Sequence, residues 1–121
     1  MTYIDGIILP LRDEHLDEYK IGADKFARKA KEQGALGTFE GLGDGLEHGK
    51  VTDFYKSVQA EDGENVVFSW IEYPDKAVRD AANKAMMEDP RFEALGEMPF
   101  DGKRMILSGF APIFDSEGTL A

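Results

Sequence analysis

The run Val66-Val67-Phe68-Ser69-Trp70-Ile71-Glu72-Tyr73, stopped by Pro74, constrains this chain more than any other stretch. Its β-branched and aromatic residues specify a strand from Asn65 to Tyr73, and the proline ends it. Apolar side chains fall at both odd and even positions. Successive strand residues point to opposite faces of a sheet, so this strand needs cover on both sides and belongs in the middle of its sheet.

The rest of the chain supplies matching parts. Tyr3 to Leu9 reads as a first strand, closed by Pro10, which has no N–H to donate to a ladder. Asp13 is placed as an N-cap, and Leu16, Tyr19, Ala23, Phe26, Ala27 and Ala30 then recur at spacings of three and four, giving a helix to about Gln33. Gly34 suits the left-handed position that closes it. Leu36 to Leu42 alternates weakly around Phe39 and dissolves into Gly41, Gly43 and Gly45, a second strand leading into an irregular insertion over residues 44–64. That insertion holds six acids against Lys50 and Lys56, which solubilise it, and Val51, Phe54, Tyr55 and Val58 are expected to pin it to the body. After the central strand, Asp75 caps a second helix with the stripe Val78, Ala81, Ala82, Ala85 and Met86, ending near Asp89-Pro90. An irregular connection over 91–102 leads to a last strand, Lys103 to Phe114, and residues 115–121 form a loose tail.

This order, βαββαβ, predicts an α+β domain of ferredoxin-like topology over residues 1–121: a four-stranded antiparallel sheet with two helices on one face. The opposite face has no helix to cover it. Ile7, Leu9, Phe68, Trp70, Ile71, Ile106, Leu107 and Phe110 nevertheless make the strands apolar on both sides, so the bare face predicts a homodimer in which a second copy of the sheet covers the first.

Composition removes several classes of function. The chain has no cysteine, which excludes disulfides, thiolate catalysis and iron–sulfur clusters. Its net charge of −10 opposes nucleic acid and anionic membranes, because a surface that repels phosphate gains nothing from counterion release. The amino-terminal run Ile7-Ile8-Leu9 is too short for a signal peptide or a span, so the expected location is cytoplasmic. No cofactor is expected: Gly41-Leu42-Gly43-Asp44-Gly45 lacks dinucleotide spacing, and no serine sits in a nucleophile elbow. His15 and His48 have no metal-ligand spacing, and no metal is expected.

Four blocks carry a family resemblance: Tyr3-Ile4-Asp5-Gly6, Gly49-Lys50-Val51-Thr52-Asp53-Phe54, Val66 to Pro74, and Met98-Pro99-Phe100-Asp101-Gly102-Lys103-Arg104-Met105-Ile106. In their order and length they resemble the DUF1428 family of small bacterial proteins. The resemblance implies the dimeric α/β-barrel superfamily, in which two ferredoxin-like sheets pack into one barrel. That superfamily includes cofactor-free and haem-dependent monooxygenases that act in a lumen between sheet and helices, so monooxygenase-like chemistry enters by analogy alone. The expectation is a homodimer that binds or transforms a small molecule in a barrel or sheet–helix pocket. The alternative is an accessory protein that uses the dimer surface or the 44–64 loop. Glu47-His48 departs from the family's usual turn, which argues against a shared catalytic role for His48.

Candidate site residues follow from strand parity. Tyr3 and Asp5 share a face with Ile7 and Leu9, and Ser69 shares one with Val67, Ile71 and Tyr73. If the faces coincide, Asp5, Tyr3 and Ser69 form a polar cluster in which Asp5 acts as acid or base; the plainer reading ties Asp5 to a neighbouring backbone or to the dimer seam. Trp70 either stacks on a planar ligand or packs in a core or interface. Arg104 either clamps a ligand carboxylate or pairs with Glu72 or Asp101.

Overall fold

In a computed structural model of the chain, which describes residues 2–88, 98–116 and 119–120, the elements run β1 (Tyr3–Arg12), α1 (Leu16–Glu32), β2 (Gly37–Leu42), α2 (Phe54–Ser57), β3 (Glu64–Tyr73), α3 (Lys76–Glu88), β4 (Ile106–Phe110), β5 (Phe114–Asp115) and β6 (Thr119–Leu120). The first four long strands form one sheet of order β2-β3-β1-β4, antiparallel throughout. This is the ferredoxin-like α+β arrangement expected from the element order, with β3 and β1 in the centre.

Helices α1 and α3 cover one face. Leu9, Leu11 and Val67 pack with Tyr19 of α1, while Ile71 and Tyr73 pack with Ala30 of α1 and with Ala82 and Met86 of α3. The alanines let the helices lie close, and each fully buried leucine contributes about 2 kcal/mol of transfer free energy. Gly34 takes φ +107° and lets Ala35 N–H reach back to the Ala30 carbonyl at 3.0 Å, closing α1 as expected. Asp75 caps α3 by accepting the Val78 N–H at 2.8 Å.

Several boundaries differ from the sequence reading. Strand β1 does not stop at Pro10 but continues to Arg12, with Pro10 opposite Val66. It can do so because β4 pairs only as far as Ile8, leaving β1 an edge on that side, where a missing N–H is tolerated. Asp13 is not an N-cap: it opens a 3₁₀ turn, Asp13–His15, that precedes α1 and has no side-chain cap. The last strand begins at Ile106, not Lys103, because residues 101–105 form a turn built on Asp101. It ends at Phe110, and Phe114–Asp115 pairs instead with Thr119–Leu120 in the segment read as a loose tail. The expected end of α3 at Asp89-Pro90 and most of the 91–102 connection lie outside the described residues.

The face without helices carries Ile4, Gly6 and Ile8 from β1, Phe68 and Trp70 from β3, Phe39 from β2, and Ile106 and Phe110 from β4, as the pairing registers require. Ile7, Leu9, Ile71 and Leu107 lie on the other parity and turn toward the helices. Phe39 stacks on Trp70 with centroids 4.4 Å apart, and Phe68 meets Trp70 edge-on at 6.0 Å. Phe39, Phe68, Ile106 and Phe110 remain between 44 and 60% exposed, so the aromatic platform has no cover within the chain.

Candidate functional site

Polar side chains enter the layer between sheet and helices at two places. At the first, β1 and β3 carry Tyr3, Asp5 and Tyr73 on the helix-covered face, and α3 supplies Arg79. Asp5 is almost wholly buried and accepts the Arg79 Nε–H at 2.9 Å. The guanidinium also lies over the Tyr3 ring, 5.5 Å from its centre, and donates from Nη1 to Asp80 at 3.0 Å. Tyr73 is fully buried, its hydroxyl has no hydrogen-bond partner, and burial together with the Asp5 charge pushes its pKa up to about 12. The Tyr3 hydroxyl reaches the bare Cα of Gly109, where a side chain would collide with it. Asp5 and Tyr3 therefore share a face as parity suggested, but Asp5 meets a cation from α3 and not an apolar wall.

At the second place, Glu40 of β2 and Ser69 of β3 face each other directly across the strands. Tyr19, buried on α1, donates its hydroxyl to Glu40 Oε1 at 2.7 Å. Burial holds the Glu40 carboxyl above the usual carboxylate range, and the neighbouring hydroxyls of Tyr19 and Ser69 pull it down by less. The Tyr19 phenol is raised for the same reason, burial first, then its hydrogen bond to Glu40 and last the Glu40 charge. Ser69 is buried, directly opposite Glu40 on the neighbouring strand. Tyr19 and Glu40 border a cleft of about 220 Å³ between α1 and β2, lined by Leu16, Tyr19, Lys20, Ala23, Glu40, Gly41, Leu42 and Val67, while Ser69 lies behind that wall.

The structure thus separates the residues singled out in sequence. Ser69 joins Glu40 and Tyr19, and Tyr3 and Asp5 join Arg79. Trp70 lies on the opposite, open face of the sheet. Arg104 is remote from both clusters: it holds Glu64 bidentately at 2.6 and 2.9 Å, donates from Nε to Asp101 at 3.0 Å, and reaches the Gln59 carbonyl at 3.0 Å. The hydrogen bonds from Arg104 keep the Glu64 carboxyl below its ordinary range. Such a guanidinium is engaged inside the protein, binding the end of the 44–64 excursion to the turn at 101–105.

The excursion has a built interior. Asp53 accepts the N–H groups of Gly49 at 2.8 Å and Lys56 at 2.7 Å, capping α2, while Lys56 Nζ donates to the carbonyls of Gly49 and Lys50. His48 stacks on Tyr55 with centroids 4.6 Å apart. Val58 is the residue that anchors the segment, 1% exposed, whereas Val51, expected to pin it, is 93% exposed. Among the described residues no group of three or more His, Asp or Glu side chains is arranged to hold a metal, and no helix is long and apolar enough to cross a membrane.

A family model described as "Protein of unknown function (DUF1428)" matches residues 2–102. The chain belongs to the DUF1428 family. Among its DUF1428 relatives, "Uncharacterized protein YbaA" of Escherichia coli strain K12 is 53% identical over 116 residues, covering 95% of this chain and 99% of that one. YbaA of Shigella flexneri matches with the same identity and coverage. In shape the chain is similar to a solved dimeric ferredoxin-like protein from an uncultured marine organism, with TM-score 0.53 and 13% identity over 90% of this chain and 91% of that one. Two of the blocks that carry the DUF1428 resemblance, 49–54 and 98–106, contain the Asp53 cap and the Asp101–Arg104 turn, so their residue types serve the architecture of the excursion.

Sequence reasoning missed Glu40, Tyr19 as its partner, and Arg79. Glu40 carried a readable signal: it sits between Thr38 and Leu42 on the parity opposite Phe39, an acidic side chain directed beneath a helix. Arg79 carried none, because nothing local distinguishes it from an exposed helical arginine.

Proposed function

We propose that the chain works in the cytoplasm as a homodimer that binds a small molecule in the cleft between α1 and β2. The observation that carries this reading is the Glu40–Tyr19 pair at the cleft wall: an acid raised by burial and hydrogen-bonded at 2.7 Å. A largely apolar cleft with a few convergent polar groups and perturbed acids is the usual form of a ligand site. Ser69, opposite Glu40 on β3, stands behind the wall of this site. Tyr3 and Asp5 stand behind the sheet's centre as its support, and Trp70 and its aromatic neighbours form the surface on which a second copy packs. The dimeric state of the marine ferredoxin-like protein, which shares the fold, supports that assembly.

The test is native mass spectrometry of protein purified from its own host. The reading expects twice the 13.5 kDa chain mass plus a retained small molecule, released on unfolding. A lone chain carrying nothing would overturn it. A second reading, an accessory protein that docks through the 44–64 excursion, draws on Val51 and Phe54, which are 93 and 47% exposed there. Replacing both by serine abolishes partner capture under that reading and leaves small-molecule binding unchanged under the first.

A further inference from the structure

The Glu40 carboxylate lacks a counter-charge. Its hydrogen-bond donor is the Tyr19 hydroxyl, and among the described residues no lysine, arginine or histidine pairs with it. Lys20 lines the same cleft without forming an ion pair to it. Removing a carboxylate from water without a cation is costly, and the raised Glu40 acid reflects that cost.

The remaining surroundings narrow the ligand. The other walls, Leu16, Ala23, Leu42 and Val67, are apolar and would take a hydrocarbon body. Two acceptors border the polar end: the Glu40 carboxylate and the lone pairs of the Tyr19 oxygen, whose O–H points to Glu40. An alkylammonium carries donors for both of these acceptors and the positive charge that is missing. An anion would meet Glu40 head-on, and a chain with net charge −10 draws cations and repels anions at long range.

We infer that the cleft recognises a small primary amine, its ammonium against Glu40 and its apolar body against the walls from α1, β2 and β3; this rests on the small-molecule reading above. A volume of about 220 Å³ suits a single ring with a short arm.

Three probes of one shape test it: benzylamine, benzyl alcohol and benzoate, titrated calorimetrically into the purified chain at about pH 8, where a carboxylate and an alkylammonium are both charged. The expected result is that benzylamine binds, and that benzyl alcohol and benzoate bind at least about tenfold more weakly. Glu40→Gln, which keeps the shape and an acceptor for Tyr19, weakens benzylamine about tenfold or more while leaving the weak binding of benzyl alcohol unchanged. Amide chemical shifts at residues 19, 40 and 69 locate the bound amine and report that each variant is folded. Equal binding of amine and alcohol, with Glu40→Gln changing neither, overturns the inference and leaves the small-molecule reading standing. Uptake of none of the probes also overturns it, and the mass of the host-purified protein then judges the broader reading independently.

Discussion

Replacing Arg79 by methionine isolates the role of Asp5. The wild-type pair closes at 2.9 Å, with the Asp5 side chain 2% and the Arg79 side chain 19% exposed. Opposite charges about 4 Å apart attract by about 4 kcal/mol at an effective dielectric of about 20, but desolvation of both offsets most of that gain. Removing one partner is different, because a buried charge is left without compensation, at roughly 3–5 kcal/mol. Arg79 keeps a fifth of its side chain in water, which places Arg79→Met at the low end, about 3 kcal/mol. For a chain of this length that lowers the melting temperature by roughly 12 °C. Methionine retains the apolar stem that packs beside Tyr3, so little of the loss comes from packing. The double variant Asp5→Leu with Arg79→Met recovers most of the loss, since an apolar pair of similar volume has no charge to strand. Urea denaturation of the four proteins at one fixed chain concentration measures the cycle, fixed because self-association makes apparent stability depend on it. A single-variant loss below about 1 kcal/mol, or a double variant as unstable as the sum of its singles, refutes the reasoning.

Phe39→Asp places a carboxylate on the platform beside Trp70, and sedimentation should then report the 13.5 kDa chain while the circular dichroism stays native; an unchanged sedimentation coefficient contradicts the dimer. Arg104→Gln releases Glu64, so limited proteolysis should cut the 44–64 excursion faster than in the wild type. The Glu64 acid is lowered in the folded chain, so its stabilisation is complete above the ordinary carboxylate value and is lost as pH falls through the lowered one; the stability gap between wild type and Arg104→Gln therefore closes on acidification, and a gap that persists at about pH 2 contradicts the clamp. Glu40 has the opposite sign: its folded acid is raised, so wild-type stability falls as pH rises from the ordinary carboxylate value through the raised one. Glu40→Gln removes that fall, and parallel melting profiles of the two proteins between about pH 4 and pH 8 count against a buried acid at this position.

The framework was legible because it is local. A β-branched and aromatic run ended by Pro74, a stripe at spacings of three and four, an aspartate before Lys76 and a glycine after Gln33 each act within a few residues, and each formed where its pattern placed it. Pro10 misled because a proline's compatibility with a strand depends on whether a neighbour pairs there, and that neighbour, β4, lies about a hundred positions away in the chain. The polar clusters were half legible for the same reason. Parity grouped Tyr3 with Asp5 and Ser69 with Val67, and the register makes the two faces coincide, yet their partners arrive from α1, β2 and α3 at distances no sequence window spans. Arg104 looked like a ligand clamp because bidentate geometry serves a substrate carboxylate and a Glu64 carboxylate equally well.

The open platform owes its contour to two residues that contribute no side chain. A methyl group on Gly6 would stand 3.0 Å from the Phe110 ring, and one on Gly41 would stand 2.8 Å from the Phe39 ring. Each aromatic ring takes up the space that a side chain at its glycine neighbour would fill, like a tile set in a recess. Alanine at either position would tip its tile upward without disturbing anything beneath the sheet. The molecule's outer relief can therefore be altered independently of its interior, by a single added methyl.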